Sequence, residues 1–458
     1  MIYRCRKCGF IHEGEMPDGY YCPLCHASLF DFKLITEEEK KYNRIPIADN
    51  NPSIARILEK CINCGACTNT CQNVVGIHYK DENKPFCIKC GQCILTCPTG
   101  ALTPKYDYAT VWELINIPGK IVVVMTSPAV RVAIGDAFGF APGEFLEGKM
   151  VGALKALGFD YVFDTAFGAD LTAIEEAYEL GNRLKENGVL PMFSSCCPSW
   201  VDYVLEYHKD LKKHLSSCKS PIGMQSAVLK KIFAKEEEIN PDDLIIVALT
   251  PCTAKKSEIK TGDADYVITT SELALLLREQ NIDFKATPEA NYDSIIGSSS
   301  GTIFGMSGGV TLAALRVLYQ KETGKNLTDD LLAIKNHDFF QEYSVKINKD
   351  IIKCAVITTL PRVEKLLPKM NEYTFIEVMN CAGGCVGGGG QILMPAKDMD
   401  EILKSRQKSL QNKDKKAILR YAYNTPAVVS LYDEHLDYPY SEKSIALLHN
   451  KRQEKKYE

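Results

Sequence analysis

The chain has 458 residues, 45% of them hydrophobic and 24% charged, with a formal net charge of −4. That length supports a large core divided among three or more domains, and the weak acidity gives no electrostatic footprint for nucleic acid or an anionic membrane surface. No apolar run approaches the roughly 20 residues that a membrane span needs. The opening Met1-Ile2-Tyr3-Arg4-Cys5 has neither the apolar core of a signal peptide nor a twin-arginine pair, so a cytoplasmic location is expected. Cytosolic thiols are kept reduced, and nineteen cysteines therefore point to metal sites rather than disulfides.

Cys5 and Cys8, then Cys22 and Cys25, form two C-x-x-C knuckles separated by 13 residues. Four thiolates so spaced make a tetrahedral sulfur site suited to iron or zinc, and the spacing does not separate the two metals. The pattern resembles rubredoxin in its short-loop form, with His26 where a glycine usually follows the last cysteine. Tyr3, Tyr20 or Tyr21, Phe30 and Phe32 are the aromatics around which such a domain would pack. Residues 1–36 are expected to be this rubredoxin-like domain. The charged stretch 37–51, which carries Pro46, reads as a linker.

Residues 52–108 carry a duplicated run. Cys61, Cys64, Cys67 and Cys71 form C-x2-C-x2-C-x3-C, and Cys87, Cys90, Cys93 and Cys97 repeat it, followed by Pro98. This is the bacterial ferredoxin run, in which the fourth cysteine of each run ligates the other cluster. One [4Fe-4S] cluster is thus expected on Cys61, Cys64, Cys67 and Cys97, and the second on Cys87, Cys90, Cys93 and Cys71. Gly65 and Gly91 fall at the tight turns, and Gln72 stands where the motif has proline. Such clusters move single electrons.

Residues 118–458 alternate apolar β-branched runs with helical stretches, which predicts an α/β domain. Strands are expected at Ile121 to Met125, Tyr161 to Phe163, Pro191 to Phe193, Leu244 to Leu249, Cys354 to Ile357 and Tyr373 to Met379, and helices at Leu171 to Asn187 and Ser271 to Gln280. Most cysteines lie just past the strand ends, where open α/β sheets form their sites. The richest stretch is Glu377 to Gln391, with Cys381 and Cys385 inside a run holding six glycines, suited to a backbone wrapped around a bulky inorganic group.

Three of these loops carry a family resemblance. SSCCPSW at 194–200, TPCTAKKSE at 250–258 and EVMNCAGGCVGGGG at 377–390 resemble the signature loops of [FeFe]-hydrogenases, and the likeness extends over nearly the whole chain. It implies a two-lobed catalytic domain of sheets flanked by helices, preceded here by the two small metal domains. It implies that Cys197, Cys252, Cys381 and Cys385 hold an H-cluster, Cys385 bridging its [4Fe-4S] cubane to a diiron subsite with CO, cyanide and azadithiolate. Cys196 would pass protons at the subsite, Lys255 would hydrogen-bond a cyanide, and Ser127, Pro128, Thr250 and Met379 would line the cofactor. The implied reaction is reversible: two protons and two electrons give dihydrogen. Implied partners are a ferredoxin or another small redox protein, and maturation enzymes, because no side chain supplies CO or cyanide.

The resemblance also implies a proton route through Glu176 and Glu179, which lie twenty and seventeen residues before Cys196, and Ser216, twenty after it. Periodicity by itself reads differently. Glu176 and Glu179 share a helix face away from the apolar stripe of Ile174, Ala177, Tyr178, Gly181 and Leu184, which predicts solvated carboxylates, and Thr172 with Glu175 resembles a capping box at the helix start. Several positions depart from better-known members: Thr250 for methionine, Ser127 and Ala129 for alanine and serine, Ser194 for threonine, and an extra Cys218 that reads as a small buried hydrophobe. Cys354 reads as core. Two other classes fit the same loops: a slow-turnover hydrogen sensor and an iron–sulfur assembly protein. Cys196, Lys255 and the intact glycine-rich loop favour the enzyme.

Overall fold

A computed structural model of the chain describes residues 1–6, 11–23, 27–37, 44–76, 86–261, 264–394 and 398–450. The N-terminal residues form a three-stranded antiparallel sheet of β1 (Ile2–Cys5), β2 (Ile11–Glu13) and β3 (Phe32–Ile35), with β1 in the middle. Cys5 and Cys22 are buried with Ala27 and Phe32, and Tyr3 and Tyr20 pack around them. Phe30 does not join this cluster. It is 90% exposed, because it sits at the centre of the tight turn Leu29–Asp31, fastened at Ser28. Cys8, Cys25 and His26 lie outside the described residues.

A two-stranded ribbon of β4 (Ile54–Arg56) and β5 (Leu102–Pro104) closes the next unit. Ile45, Ile54, Cys67, Cys93 and Leu102 form its small core, with Ile47 against it, so packing begins inside the segment expected as a linker. Gly65 and Gly91, both left-handed (φ 81° and 72°), open the helices Ala66–Val74 and Gln92–Leu95.

The large region contributes β6 (Ile121–Thr126), β7 (Tyr161–Asp164), β8 (Met192–Phe193), β9 (Leu244–Thr250), β10 (Tyr266–Thr269), β11 (Leu332–Asn336), β12 (Gln341–Ile347), β13 (Asp350–Thr358) and β14 (Phe375–Met379). They form two sheets. One is parallel, in the order β10-β9-β6-β7, and the other runs β11-β12-β13-β14-β8, with β13, β14 and β8 parallel. Val122 to Met125 and Ile246 to Leu249 have no exposed surface, which is why those stretches read as unbroken apolar runs instead of alternating ones. Among the described residues, no helix is long and apolar enough to cross a membrane.

The helix Ala166–Lys185 starts earlier than its periodicity suggests and is buried on almost every side. Thr172 and Glu175 are therefore mid-helix and form no capping box. Thr172 donates back to the Gly168 carbonyl at 3.0 Å, and Glu175 accepts from Tyr432 at 2.6 Å. Gly168 breaks the helical pattern because it packs against the Pro221 carbonyl, 2.1 Å from where a Cβ would stand. Glu176 and Glu179, expected from periodicity to be solvated, are 0% and 2% exposed, because helices cover the face opposite the apolar stripe as well.

Candidate metal centre

The carboxyl ends of β6, β8, β9 and β14 converge. Their loops surround a cavity of about 780 Å³, part of it open to solvent, lined by Cys197, Cys252, Cys381 and Cys385 together with Cys196, Lys255, Ser127, Pro128, Thr250 and Met379. Every residue expected to touch the cofactor therefore lies on one cavity, drawn from both sheets.

The cavity wall combines protonated thiols, an ammonium and an unpartnered amide. Burial first, and then the neighbouring Cys197, pushes the Cys252 thiol up to about 11; burial and Cys252 push Cys385 up to about 12. Burial and Cys252 likewise hold Cys381 well above the usual range. Burial raises the Cys197 thiol as well, and four thiols that resist ionisation together become thiolates only with a metal charge among them. Asn380, buried on the same wall, has neither its amide nitrogen nor its oxygen partnered by protein. That is a polar group awaiting a polar occupant. Lys255 Nζ lies 2.9 Å from Glu258 Oε1 and 3.1 Å from the Cys196 carbonyl. Burial alone would discharge it, but the Glu258 carboxylate more than offsets that, so it stays an ammonium at the cavity wall. Thiols, ammonium and orphaned amide together fit an iron–sulfur group that carries small anionic ligands.

A line of polar groups leaves the cavity through the buried helix. Burial, with Glu176 second, holds the Cys196 thiol well above its usual range. Glu176 Oε1 accepts from the Ser195 N–H at 3.5 Å. Ser216 Oγ donates to Glu179 Oε2 at 3.2 Å, and Arg183 pairs with Glu179 Oε1 at 2.6 Å. Burial first, then the charge of Glu179, pushes the Glu176 carboxyl up to about 8.

On the other side, the iron–sulfur motif region abuts the cavity loops. Cys61, Cys64, Cys67 and Cys97 line one pocket, and Cys90 feels the charges of Cys71 and Cys87 most among its neighbouring thiols. Thr253 Oγ1 donates to the Lys89 carbonyl at 2.7 Å and Ser199 Oγ to the Ile88 carbonyl at 3.0 Å. Gly389, in the glycine-rich loop, lies so close that an added Cβ would stand 2.2 Å from the Cys90 carbonyl.

Residues 120–389 match the family described as iron only hydrogenase large subunit, C-terminal domain. The chain belongs to the iron-only hydrogenase family. Residues 400–451 match the iron hydrogenase small subunit, and 58–75 and 83–103 match 4Fe-4S binding domains. The NADP-reducing hydrogenase subunit HndD of Solidesulfovibrio fructosivorans is 39% identical over 88% of this chain and 74% of its own length. Iron hydrogenase 1 of Clostridium pasteurianum is 36% identical over 97% and 83%. A variant of the apo [FeFe]-hydrogenase HydA1 from Chlamydomonas reinhardtii superposes with a TM-score of 0.68 at 34% identity, over 75% of this chain and 97% of that one. This hydrogenase is accordingly an oxidoreductase that acts on dihydrogen and protons at an H-cluster, with iron–sulfur clusters beside it.

Some residues of the hydrogenase site carry weak sequence signals or none. Arg183, four residues after Glu179, is the one that helical spacing could have flagged. Asn380 and Gln92 stand inside the cysteine motifs but carry no signal of their own, and Ser217 is brought to Glu179 and His449 to Ser217 by tertiary packing.

Proposed function

We propose that this hydrogenase interconverts dihydrogen with protons and electrons in both directions. The observation that carries the reading is the convergence of Cys197, Cys252, Cys381, Cys385, Cys196 and Lys255 on one cavity. In this reading the first four thiolates would hold the H-cluster. When bound, that group supplies the two-iron site, with its CO, cyanide and azadithiolate, at which hydrogen is formed or split.

The protein's own residues handle position, protons and water. Lys255 anchors an anionic ligand of the subsite, held in place by Glu258, while Ser127, Pro128, Thr250 and Met379 shape the walls. Cys196, on the cavity wall, would hold a proton next to the bound group, its thiol kept protonated by burial. Glu176, whose carboxyl burial pushes up to about 8, exchanges with Cys196, and Ser216 passes the proton on to Glu179, which the Arg183 guanidinium holds at the partly exposed end. Proton transfer through such placed groups is typically worth 10²–10⁴ in rate.

Electrons would move through two [4Fe-4S] clusters, one on Cys61, Cys64, Cys67 and Cys97, the other on Cys87, Cys90, Cys93 and Cys71. They would exchange with a ferredoxin-like partner in the cytoplasm. The head, with Cys5 and Cys22 buried together, would hold one mononuclear iron (or zinc), and with iron it would pass electrons to an acceptor of higher potential. The test is catalytic current from fully matured protein on an electrode, under hydrogen and then under inert gas. Current in both directions is expected. Negligible current with the cofactor confirmed present would leave a hydrogen sensor instead.

A further inference from the structure

The ribbon that closes the iron–sulfur region carries an arginine on its inner face. Ile54 and Arg56 stand two apart on β4, so their side chains leave the strand on the same side. Ile54 belongs to the small core with Cys67, Cys93 and Leu102. The core side of a strand is ordinarily apolar. Arg56 breaks that rule, and it lines the pocket of Cys61, Cys64, Cys67 and Cys97. Its Nε and Nη2 are shut off from solvent, yet neither has a hydrogen-bond partner in the protein.

A guanidinium is always charged and carries five N–H donors. Two of its nitrogens buried and unpaired are a cost that folded proteins meet with a partner. The pocket provides for one. Burial most of all, with the nearby Cys67, Cys97 and Cys61, pushes the Cys64 thiol up, so the four sulfurs stand close together. A [4Fe-4S] cubane on four thiolates is an anion in both redox states, and its sulfurs accept hydrogen bonds. The orphaned donors of Arg56 therefore fit the group expected there.

The other cluster site is built differently. Cys90, expected to act with Cys71, Cys87 and Cys93, meets the catalytic loop at Gly389, and its charge is felt by Cys381 in the cavity. That set is the inner cluster, and the Cys61 set is the outer one. Lys89, inside the inner run, has its charge taken up by Asp202 at 2.6 Å. Around the outer pocket, Arg44 is a second lining cation, but it is exposed and so screened by water and salt. Glu59 and Lys60, next to Cys61, are exposed and of opposite sign.

We propose that Arg56 raises the reduction potential of the outer [4Fe-4S] cluster above that of the inner one, which makes the outer cluster the electron sink of the chain. A positive charge beside a cluster favours the state with the extra electron, the more so where solvent is excluded. Electrons released at the catalytic site then run outward one at a time. The inner cluster is oxidised as the outer is reduced, and no proton moves. The proposal rests on the reading that both ferredoxin-type clusters are bound.

The test is a redox titration of matured enzyme followed by electron paramagnetic resonance, with iron counted first. Wild type is expected to show two ferredoxin-type clusters, one of them reduced at a higher potential. Arg56→Met keeps the bulk and removes the charge. The higher potential should then fall by about 59 mV, a tenfold change in a one-electron equilibrium. The other cluster and the infrared bands of the catalytic site should hold still. Arg56→Lys should recover most of the wild-type value, and Arg44→Met should move it much less. Arg56→Gln, which keeps a donor without the charge, gives the same reading if the methionine variant does not assemble its cluster. Two equal potentials in wild type, or an unshifted one on loss of the Arg56 charge, overturn the proposal. Iron short of two ferredoxin-type clusters in wild type overturns instead the reading on which it rests.

Discussion

Gln92 donates its side-chain amide to the sulfur of Cys381 at 3.3 Å, and to the Gly387 carbonyl at 2.8 Å. Gln92 sits between Cys90 and Cys93, so a residue flanked by two proposed ferredoxin ligands touches a proposed ligand of the catalytic cubane. A donor dipole aimed at a cluster sulfur stabilises the extra electron of the reduced state. Replacing Gln92 with Leu is expected to move the catalytic cubane to a more negative potential and leave the ferredoxin clusters nearly unchanged. A spectroelectrochemical titration reads this directly, and an unshifted potential would refute an electronic role for the contact.

Gly389 holds the same junction together sterically. Its missing side chain admits the Cys90 carbonyl, 2.2 Å from where a Cβ would stand. Gly389→Ala is expected to cost about 1–3 kcal/mol of stability through forced backbone shifts. It should also slow electron delivery from an external donor much more than hydrogen–deuterium exchange at the catalytic site, which needs no external electrons. Equal losses in the two assays would mean that the substitution damages the catalytic site instead of the junction.

The pH response should centre on Glu176. Burial first, and Glu179 second, places its carboxyl at about 8. Below that pH the carboxyl holds a proton to give; above it the group can only accept one. Proton-reduction current, corrected for driving force, should therefore fall as pH rises through about 8, and hydrogen-oxidation current should rise up to the same point. Glu176→Gln can do neither and should lose about 10²–10⁴ of both with the cofactor's infrared bands intact. Cys196→Ala should behave likewise, keeping its cluster and losing most turnover; full activity in either variant would remove that residue from the path.

Lys255→Met removes the ammonium from the cavity wall and leaves the Glu258 carboxylate held by Ser220 without that charge beside it. The variant is expected to retain its iron–sulfur iron but to lose the CO and cyanide bands of the subsite, because nothing then counters the anionic ligands there. Normal band intensity after maturation would count against Lys255 as the anchor.

Deleting residues 1–36 tests the head. Slower hydrogen oxidation with an acceptor of higher potential is expected, with ferredoxin-linked rates unchanged. Identical kinetics with every acceptor would leave the head without a part in electron flow.

The cavity was legible in the sequence because its chemistry is local. Each cysteine loop follows an apolar run that could only be a buried strand, and the ends of such strands are where α/β sheets gather their sites. The proton line was less legible, and for a physical reason. Periodicity assigns a helix one buried face, and Glu176 and Glu179 lie off it; the helix is covered on that face too, by elements far away in the chain. The helix start differs because Thr172 and Glu175 resemble a capping box in sequence, whereas the helix runs on back to Ala166, with Gly168 packed against the Pro221 carbonyl. The hairpin strand β12 went unread although Tyr343, Val345 and Ile347 alternate with polar residues as an amphipathic strand should. Phe30 failed differently: an aromatic in a small domain was assumed to be core, and a three-residue turn pointed it outward.

The four cysteines of the cavity do not belong to one sheet. Cys252 extends the four-stranded sheet beyond β9, while Cys197, Cys381 and Cys385 extend the five-stranded one beyond β8 and β14. A single inorganic group bonded to all four, as proposed, would act as a rivet between two halves that otherwise meet through ordinary packing, and its binding energy would become cohesion of the fold. Stripping the cluster would loosen the seam between the sheets as well as silence the chemistry, and the machinery that installs the group would be fastening two leaves of protein together as it works.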